Sequence, residues 1–360
     1  MAGSLHNISP QILNDLRTSS GMSEEEVAKK LNLPKSKYRN IENGVEKLST
    51  SNLVHLADIY KRPLIAFYSF DIEKEPEMPH DYRLNRDKKL SNQVFLAKRK
   101  AIYLAKQLQE TTNIKTNLPK VNINSTSKEL ADYLRDTLKV DLSILKDLQG
   151  ETIFSFYKSI IEEKFFIPVI EHPLKTNGVR ALSIYADVCA VVLNESDTGE
   201  IKLFSLFHEL CHLLRRQDGV CTVDIEKDKQ NQPEERYCDE FAAYFLLPEK
   251  DLKNELGDRP LSLQELNRLS KGFGVSKTVI LIHLKDLNLV NERRYKLLKT
   301  QIESLRKSGF GRRNWERTYI NRTSRLVLNN LINSFKRGDL TYTDLATITS
   351  IKDKYLQKMI

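Results

Sequence analysis

His208 and His212 stand four positions apart, with Glu209 directly after the first of them, in the run His208-Glu209-Leu210-Cys211-His212. On a helix that spacing puts both imidazoles on one face, where they can meet a single Zn²⁺ ion. Glu209 lies beside that face, near enough to take a proton from an attacking water. The chemistry open to such a set is metal-assisted hydrolysis: the ion polarises a carbonyl, and Glu209 accepts the water's proton and later returns it to the leaving amine. Helical context has independent support, because Phe204, Phe207, Leu210 and Leu214 form an apolar stripe with no Pro or Gly inside it. The plainer alternative is a pair of histidines that packs or caps a helix and binds nothing.

A catalytic zinc takes three protein ligands and keeps its fourth position for water or substrate. Downstream, Glu235 and Asp239 are four apart on a second helical stretch, Glu234 to Leu247, after a polar loop from Arg215 to Pro233 that can fold the second helix back on the first. This resembles the ExxxD arrangement of thermolysin-like zinc peptidases, in which the Glu ligates the metal and the Asp orients a ligating His through its other nitrogen. Glu234 competes with Glu235 but lies one helical step away, and only Glu235 pairs with Asp239 at four-residue spacing. The four cysteines, Cys189, Cys211, Cys221 and Cys238, contain no CxxC pair and read as small buried hydrophobes rather than ligands. His283 reads as a satisfied helix histidine among Ile280, Leu281, Ile282 and Leu284. His6, His55, His80 and His172 have no supporting constellation. Tyr237 and Tyr244 are available as oxyanion donors, but position alone does not choose between them.

The elements that must hold these residues belong to a chain of 360 residues, 40% hydrophobic and 29% charged, which suits two or three modest domains. No apolar run approaches the roughly 20 residues of a membrane span. The first ten residues lack the basic and apolar segments of a secretion signal. With no disulfide pattern, the expectation is a reduced, cytoplasmic protein. Ser23 and Glu26 form a capping box ahead of a helix from Glu24 to Leu31. A turn at Asn32-Leu33-Pro34 leads to a second helix, Lys35 to Glu42, which stops at Asn43-Gly44. Leu53, Leu56, Ala57 and Tyr60 mark another, ended before Pro63. Two short helices across a tight turn, packed by flanking helices, make a helix-turn-helix. A polar linker carrying Pro76 and Pro79 precedes a long helix over Asn92–Glu110, a loop over Asn113–Thr126 and a helix over Ser127–Leu138. Phe166–Ile170, Ala181–Tyr185 and Cys189–Leu193 read as short strands of a small sheet. Two helices surround Gly272–Val275, and the last 70 residues are mostly helical. No internal repeat or low-complexity tract is present. The domain division that follows is 1–72, 73–126 (linker and helix), 127–290 and 291–360.

If Lys35–Glu42 is a recognition helix, its N-terminal end enters the major groove, and Lys35, Ser36, Lys37, Arg39 and Asn40 offer donors to bases and phosphates. Tyr38 and Ile41 pack inward. Glu24, Glu25 and Glu26 bring negative charge to the same face, so a protein-interaction module is the competing reading. The net charge of +9 is concentrated. Residues 291–338 hold 13 Lys and Arg against 3 Glu, a local balance of 13 − 3 = +10. With Phe310, Trp315 and Tyr319 interleaved, that segment suits a nucleic acid or an acidic partner, and a solvated helix surface accounts for the charge equally well.

Asn194, the run Leu203-Phe204-Ser205-Leu206-Phe207-His208-Glu209-Leu210-Cys211-His212, then Glu235 through Phe241-Ala242-Ala243 and Leu246-Leu247-Pro248, together resemble the ImmA/IrrE family of metallopeptidases. The family commonly has Thr where Ser205 stands and Gly where Cys211 stands, and neither position is a ligand. Glu265–Leu289, with Phe273-Gly274-Val275-Ser276, is similar to the family's later helical part. The N-terminal unit, including Ile41-Glu42-Asn43-Gly44, is similar to XRE-type (lambda-repressor-like) DNA-binding domains. The resemblance implies an α+β multidomain protein with an N-terminal all-α helix-turn-helix domain, a central zincin-like metallopeptidase domain with a small sheet and an HExxH helix, and a helical C-terminal region. It further implies one zinc per chain on His208, His212 and Glu235, Glu209 as general base, Asp239 behind a ligand, and DNA as a partner of the first domain. The implied substrate is a protein, a helix-turn-helix repressor whose cleavage releases promoters in a stress or phage and mobile-element response. No membrane partner is implied, and a homodimer stays open. The alternative is a non-enzymatic, antitoxin-like DNA-binding regulator whose zincin-like fold senses a ligand or holds shape. The intact Glu209 favours the enzyme, since a structural zinc needs no general base.

Overall fold

The computed structural model describes residues 5–60, 62, 64–68, 91–140, 142–145, 148, 151–174, 178–216, 219–222, 233–304 and 314–360. Its described residues fall into two compact units. One holds those up to residue 68 with 91–100 and 174, and the other holds 101–173 and 178–360.

The first unit is built from short helices: α1 (Pro10–Thr18), α2 (Glu24–Lys30), α3 (Lys35–Glu42) and α4 (Thr50–Tyr60), with a minimal strand pair, β1 (Leu5–His6) and β2 (Leu48–Ser49). The Ser23–Glu26 capping box forms as the sequence requires, each side chain satisfying the other residue's backbone N–H. Leu13, Leu16, Val27, Tyr38, Leu56 and Tyr60 close one buried core. Within it Arg17 reaches from α1 to the Glu42 carboxylate on α3 at 2.8 Å, and the Tyr38 and Tyr60 hydroxyls meet at 2.8 Å. Periodicity names α2 to α4, and the structure adds α1 and the strand pair. A long helix, α5 (Asn92–Thr112), begins in this unit, where its buried Arg99 bonds the Tyr60 carbonyl and the hydroxyls of Ser19 and Ser20.

The second unit is a small mixed sheet wrapped by helices. Its chain order is α6 (Ser127–Leu138), α7 (Leu142–Leu145), α8 (Glu151–Phe165), β3 (Val169–His172), β4 (Val179–Tyr185), β5 (Cys189–Asn194), α9 (Gly199–Leu214), β6 (Gly219–Thr222), α10 (Pro233–Leu246), α11 (Glu249–Leu256), α12 (Leu263–Phe273), α13 (Lys277–Asp286) and α14 (Glu292–Ser304). The C-terminal helices α15 (Trp315–Thr323), α16 (Arg325–Arg337), α17 (Tyr342–Thr349) and α18 (Asp353–Leu356) follow. The strands lie in the order β3-β5-β4-β6, with β3 parallel to β5 and the other pairs antiparallel. Ala181, Val191 and Leu193 join the same core as α9, while Leu182, Ile184, Ala190 and Val192 are equally buried on the opposite face. A sheet buried on both faces reads as continuous apolar runs, as β4 and β5 do.

Two differences from the periodicity have local causes. The first strand begins at Val169, not Phe166, because Phe166 takes a left-handed backbone (φ +55°) that ends α8, and Pro168 carries no N–H for a ladder. The stretch read as a polar loop, 215–233, contains β6, which pairs with β4 at Val220↔Leu182 and Gly219↔Ser183. No described helix is long and apolar enough to cross a membrane.

Gly274 caps α12 with φ +68°, and a Cβ there would lie 2.9 Å from Ile153. Gly272, inside the same helix, has no atom within 4 Å of such a Cβ. Gly274→Ala is therefore expected to destabilise the protein by about 1–2 kcal/mol. Gly272→Ala should be neutral or stabilise it by up to about 1 kcal/mol. Denaturant melts of the two variants read the difference directly.

Candidate functional site

The helix α9 begins directly after Thr198 and carries twelve consecutive buried residues, Leu203 to Leu214. It packs on β4 and β5, with α10 against it. Aromatic packing sets the spacing of these helices. Phe207 stacks on Phe245 of α10 with ring centroids 4.1 Å apart, and Tyr157 of α8 meets Phe207 edge-on at 5.2 Å. One residue beyond Phe207, His208 is turned toward α10.

His208 Nε2, His212 Nε2 and the two carboxylate oxygens of Glu235 converge. Nε2 to Nε2 is 3.2 Å, His208 to Glu235 Oε2 is 3.2 Å, and His212 to Glu235 Oε1 is 3.2 Å. Two imidazole nitrogens facing each other at that distance can share one proton or meet a common cation. A tetrahedral zinc with bonds of about 2.0–2.1 Å separates neighbouring ligand atoms by about 3.3 Å, so the three side chains fit the ion in number, type and spacing. They are the group of metal-ligating side chains found among the described residues, all buried. Asp239 Oδ1 lies 2.9 Å from His208 Nδ1. Accepting that N–H selects the tautomer whose Nε2 lone pair faces the other two ligands. Glu234 turns the other way and is held by Arg215.

The electrostatics of the centre favour a cation. Burial works against charge on both rings, yet Asp239 and Glu235 push His208 well above the usual imidazole range, and Cys238 and Glu235 do the same for His212. Burial would raise Glu235, but its bonds to the two imidazoles drive its carboxyl well below the ordinary value. Glu209 is fully buried beside them, and neither of its oxygens has a hydrogen-bond partner among the described residues. Burial pushes its carboxyl up, with His208, His212 and Ser183 restraining the rise.

Ser183 is the neighbour that sequence reading misses, since it comes from β4 and carries no motif. Neither tyrosine weighed as an oxyanion donor is placed for that task. Tyr237 donates to the Ser125 carbonyl at 2.8 Å, and Tyr244 packs edge-on against His283. His283 itself is buried against the Leu247 carbonyl, 3.0 Å away, and burial lowers its pKa. Cys189, Cys211 and Cys238 are buried thiols; the side chain of Cys221 lies outside the described residues.

In the first unit all five nominated DNA contacts lie on α3, with Lys35, Ser36, Lys37 and Arg39 exposed and Asn40 half-buried. Tyr38 and Ile41 point into the core. Three of the five are engaged with carboxylates of the same unit. Arg39 makes two bonds to Glu24 (2.9 and 2.7 Å), Lys35 lies 3.5 Å from Glu25, and Asn40 donates to Glu46 at 3.0 Å. Phe310 of the basic segment lies outside the described residues. Arg322 of that segment is bonded to Glu195 at 2.6 Å.

Comparison with known families gives two matches. Residues 162–285 match the family model of peptidases described as IrrE N-terminal-like domain. Residues 13–67 match a helix-turn-helix family model. No curated protein matches the chain.

Asp239→Asn, which removes the charge that orients His208, is expected to weaken zinc binding about 10–100-fold in a chelator competition assay. Glu234→Gln should leave zinc affinity unchanged, and equal losses in both variants would mean that the pairing of Asp239 with His208 has no bearing on the metal. In the first unit, Glu24→Gln combined with Glu25→Gln should tighten non-specific DNA binding and steepen its salt dependence by about 0.9 per additional phosphate neutralised. Fluorescence anisotropy against salt concentration measures both.

Proposed function

Because the chain joins a helix-turn-helix domain to an IrrE-like peptidase domain, we propose that it is a zinc-dependent endopeptidase coupled to a DNA-binding domain. In this reading it regulates transcription by cleaving a regulatory protein, a helix-turn-helix repressor, in a stress or mobile-element response. The observation that carries the reading is the mutual 3.2 Å spacing of His208, His212 and Glu235 next to a buried carboxylate, Glu209, with no hydrogen-bond partner among the described residues. His208, His212 and Glu235 hold the metal, and Asp239 keeps His208 in the ligating tautomer. A bound zinc supplies Lewis acidity toward the scissile carbonyl and the water. Glu209 accepts the water's proton and delivers it to the departing amine, a role for which its raised pKa suits it. The first domain brings the peptidase to DNA through Lys35, Ser36, Lys37, Arg39 and Asn40. The division of labour follows the boundaries 1–72, 73–126, 127–290 and 291–360.

A non-enzymatic regulator with a structural zinc is the competing reading, and Glu209 speaks against it. A structural site takes its fourth ligand from the protein and has no use for a buried base beside the metal.

Elemental analysis of the purified protein should find about one zinc per chain, lost in His208→Ala and in Glu235→Ala. Glu209→Gln should keep the zinc and lose cleavage of a co-expressed repressor by several orders of magnitude. Retention of zinc by Glu235→Ala would remove it from the ligand set, and cleavage by Glu209→Gln would remove the proposed base.

A further inference from the structure

Apart from the cluster of His208, His212 and Glu235, α8, β3 and α15 enclose a second polar feature. Glu171, on β3 and 3% exposed, accepts from Lys158 of α8 at 3.3 Å and from Lys202 of α9 at 2.7 Å. One buried carboxylate thus serves two ammonium groups. The next carboxylate along α8, Glu162, has its oxygens committed to the Val169 N–H at 3.1 Å and to Ser324 and Leu326 at the start of α16. Burying ions this way is costly unless each is paired, and replacement by apolar residues is often neutral or stabilising. The cluster opens on a cavity of about 580 Å³, lined on one side by Ser155, Lys158 and Ser159, and at its mouth by the exposed Arg317 and Arg325. Its lining also holds three carboxylates, Glu171 and Glu162, both engaged as described above, and the exposed Glu316.

We propose that this cavity binds a small phosphorylated molecule, and that binding is transmitted to α9. Two guanidinium groups at the mouth and an ammonium group within match a tetrahedral oxyanion, for which Arg forks are the preferred donors. The volume falls in the range of small-molecule sites and exceeds what a bare phosphate fills. Phe154 and Ile320 supply apolar wall for the organic body of a phosphate monoester, and the serine hydroxyls supply donors and acceptors for its polar groups. Transmission follows from placement. An anion that draws Lys158 leaves Glu171 to Lys202, which is on the helix of His208 and His212. Tyr157, the neighbour of Lys158, packs against Phe207, the neighbour of His208.

Isothermal titration calorimetry of the full chain with inorganic phosphate, ribose 5-phosphate and AMP tests the site without any peptidase readout. The expected result is saturable one-to-one binding of at least one monoester, tighter than that of inorganic phosphate. Arg317→Ala with Arg325→Ala, both on exposed positions, should weaken it at least tenfold. Saturable binding of inorganic phosphate alone would overturn the monoester assignment. Absence of saturable binding by all three probes, or equal binding by the double variant, would overturn the site. Hydrogen exchange over residues 199–214 should slow when the ligand binds, and unchanged exchange there would overturn the coupling to α9.

Discussion

Two imidazoles and a carboxylate buried within hydrogen-bonding distance of one another are the constraint on which the second unit depends. Each of these groups would be costly to bury alone, and together they are tolerable only if their charges and protons are matched. His208, His212 and Glu235 achieve that by converging on one point, and Asp239 completes the match from behind. The geometry is held by apolar packing immediately beside it. The Phe207–Phe245 stack and the edge contact from Tyr157 set how closely the surrounding helices approach. A shift of the stack would change the distances among His208, His212 and Glu235, so core packing and the spacing of the three side chains cannot be separated here.

The sheet serves the same end from the other side. Its two central strands are mostly apolar, and α9 packs on them with residues 203–214 buried. Ser183 is a buried polar residue of β4, and it faces Glu209. A carboxylate buried without a strong partner costs stability, and the proposed role of Glu209 as proton acceptor would account for its retention there.

The first unit handles charge differently. Its recognition-type helix presents basic side chains at the surface, and acidic residues of the same unit take up several of them. Phosphate binding must then displace Glu24 from Arg39 before Arg39 can contribute, which lowers affinity and makes it depend on the acidic turn as well as on α3. The Arg17–Glu42 pair, with Glu42 buried and Arg17 half-buried, is of another kind, tying α1 to α3 at the edge of the core.

Sequence alone determines what depends on neighbours within a few residues. The four-residue period that puts His208 and His212 on one face, the Ser23–Glu26 capping box and the Gly274 helix end are local matters of helix geometry and backbone sterics. The pairing of Glu235 with Asp239 is legible for the same reason. What only the tertiary structure decided involves residues far apart in the chain. Arg215 takes Glu234 and leaves Glu235 to the histidines, β6 emerges from a stretch with no strand signal by pairing with β4, and Ser183 comes to rest beside Glu209. Glu24 binds Arg39 across a turn, and Lys158, Glu171 and Lys202 meet from three elements. Charges attract across whatever distance folding leaves between them, and no periodicity in a sequence records that distance.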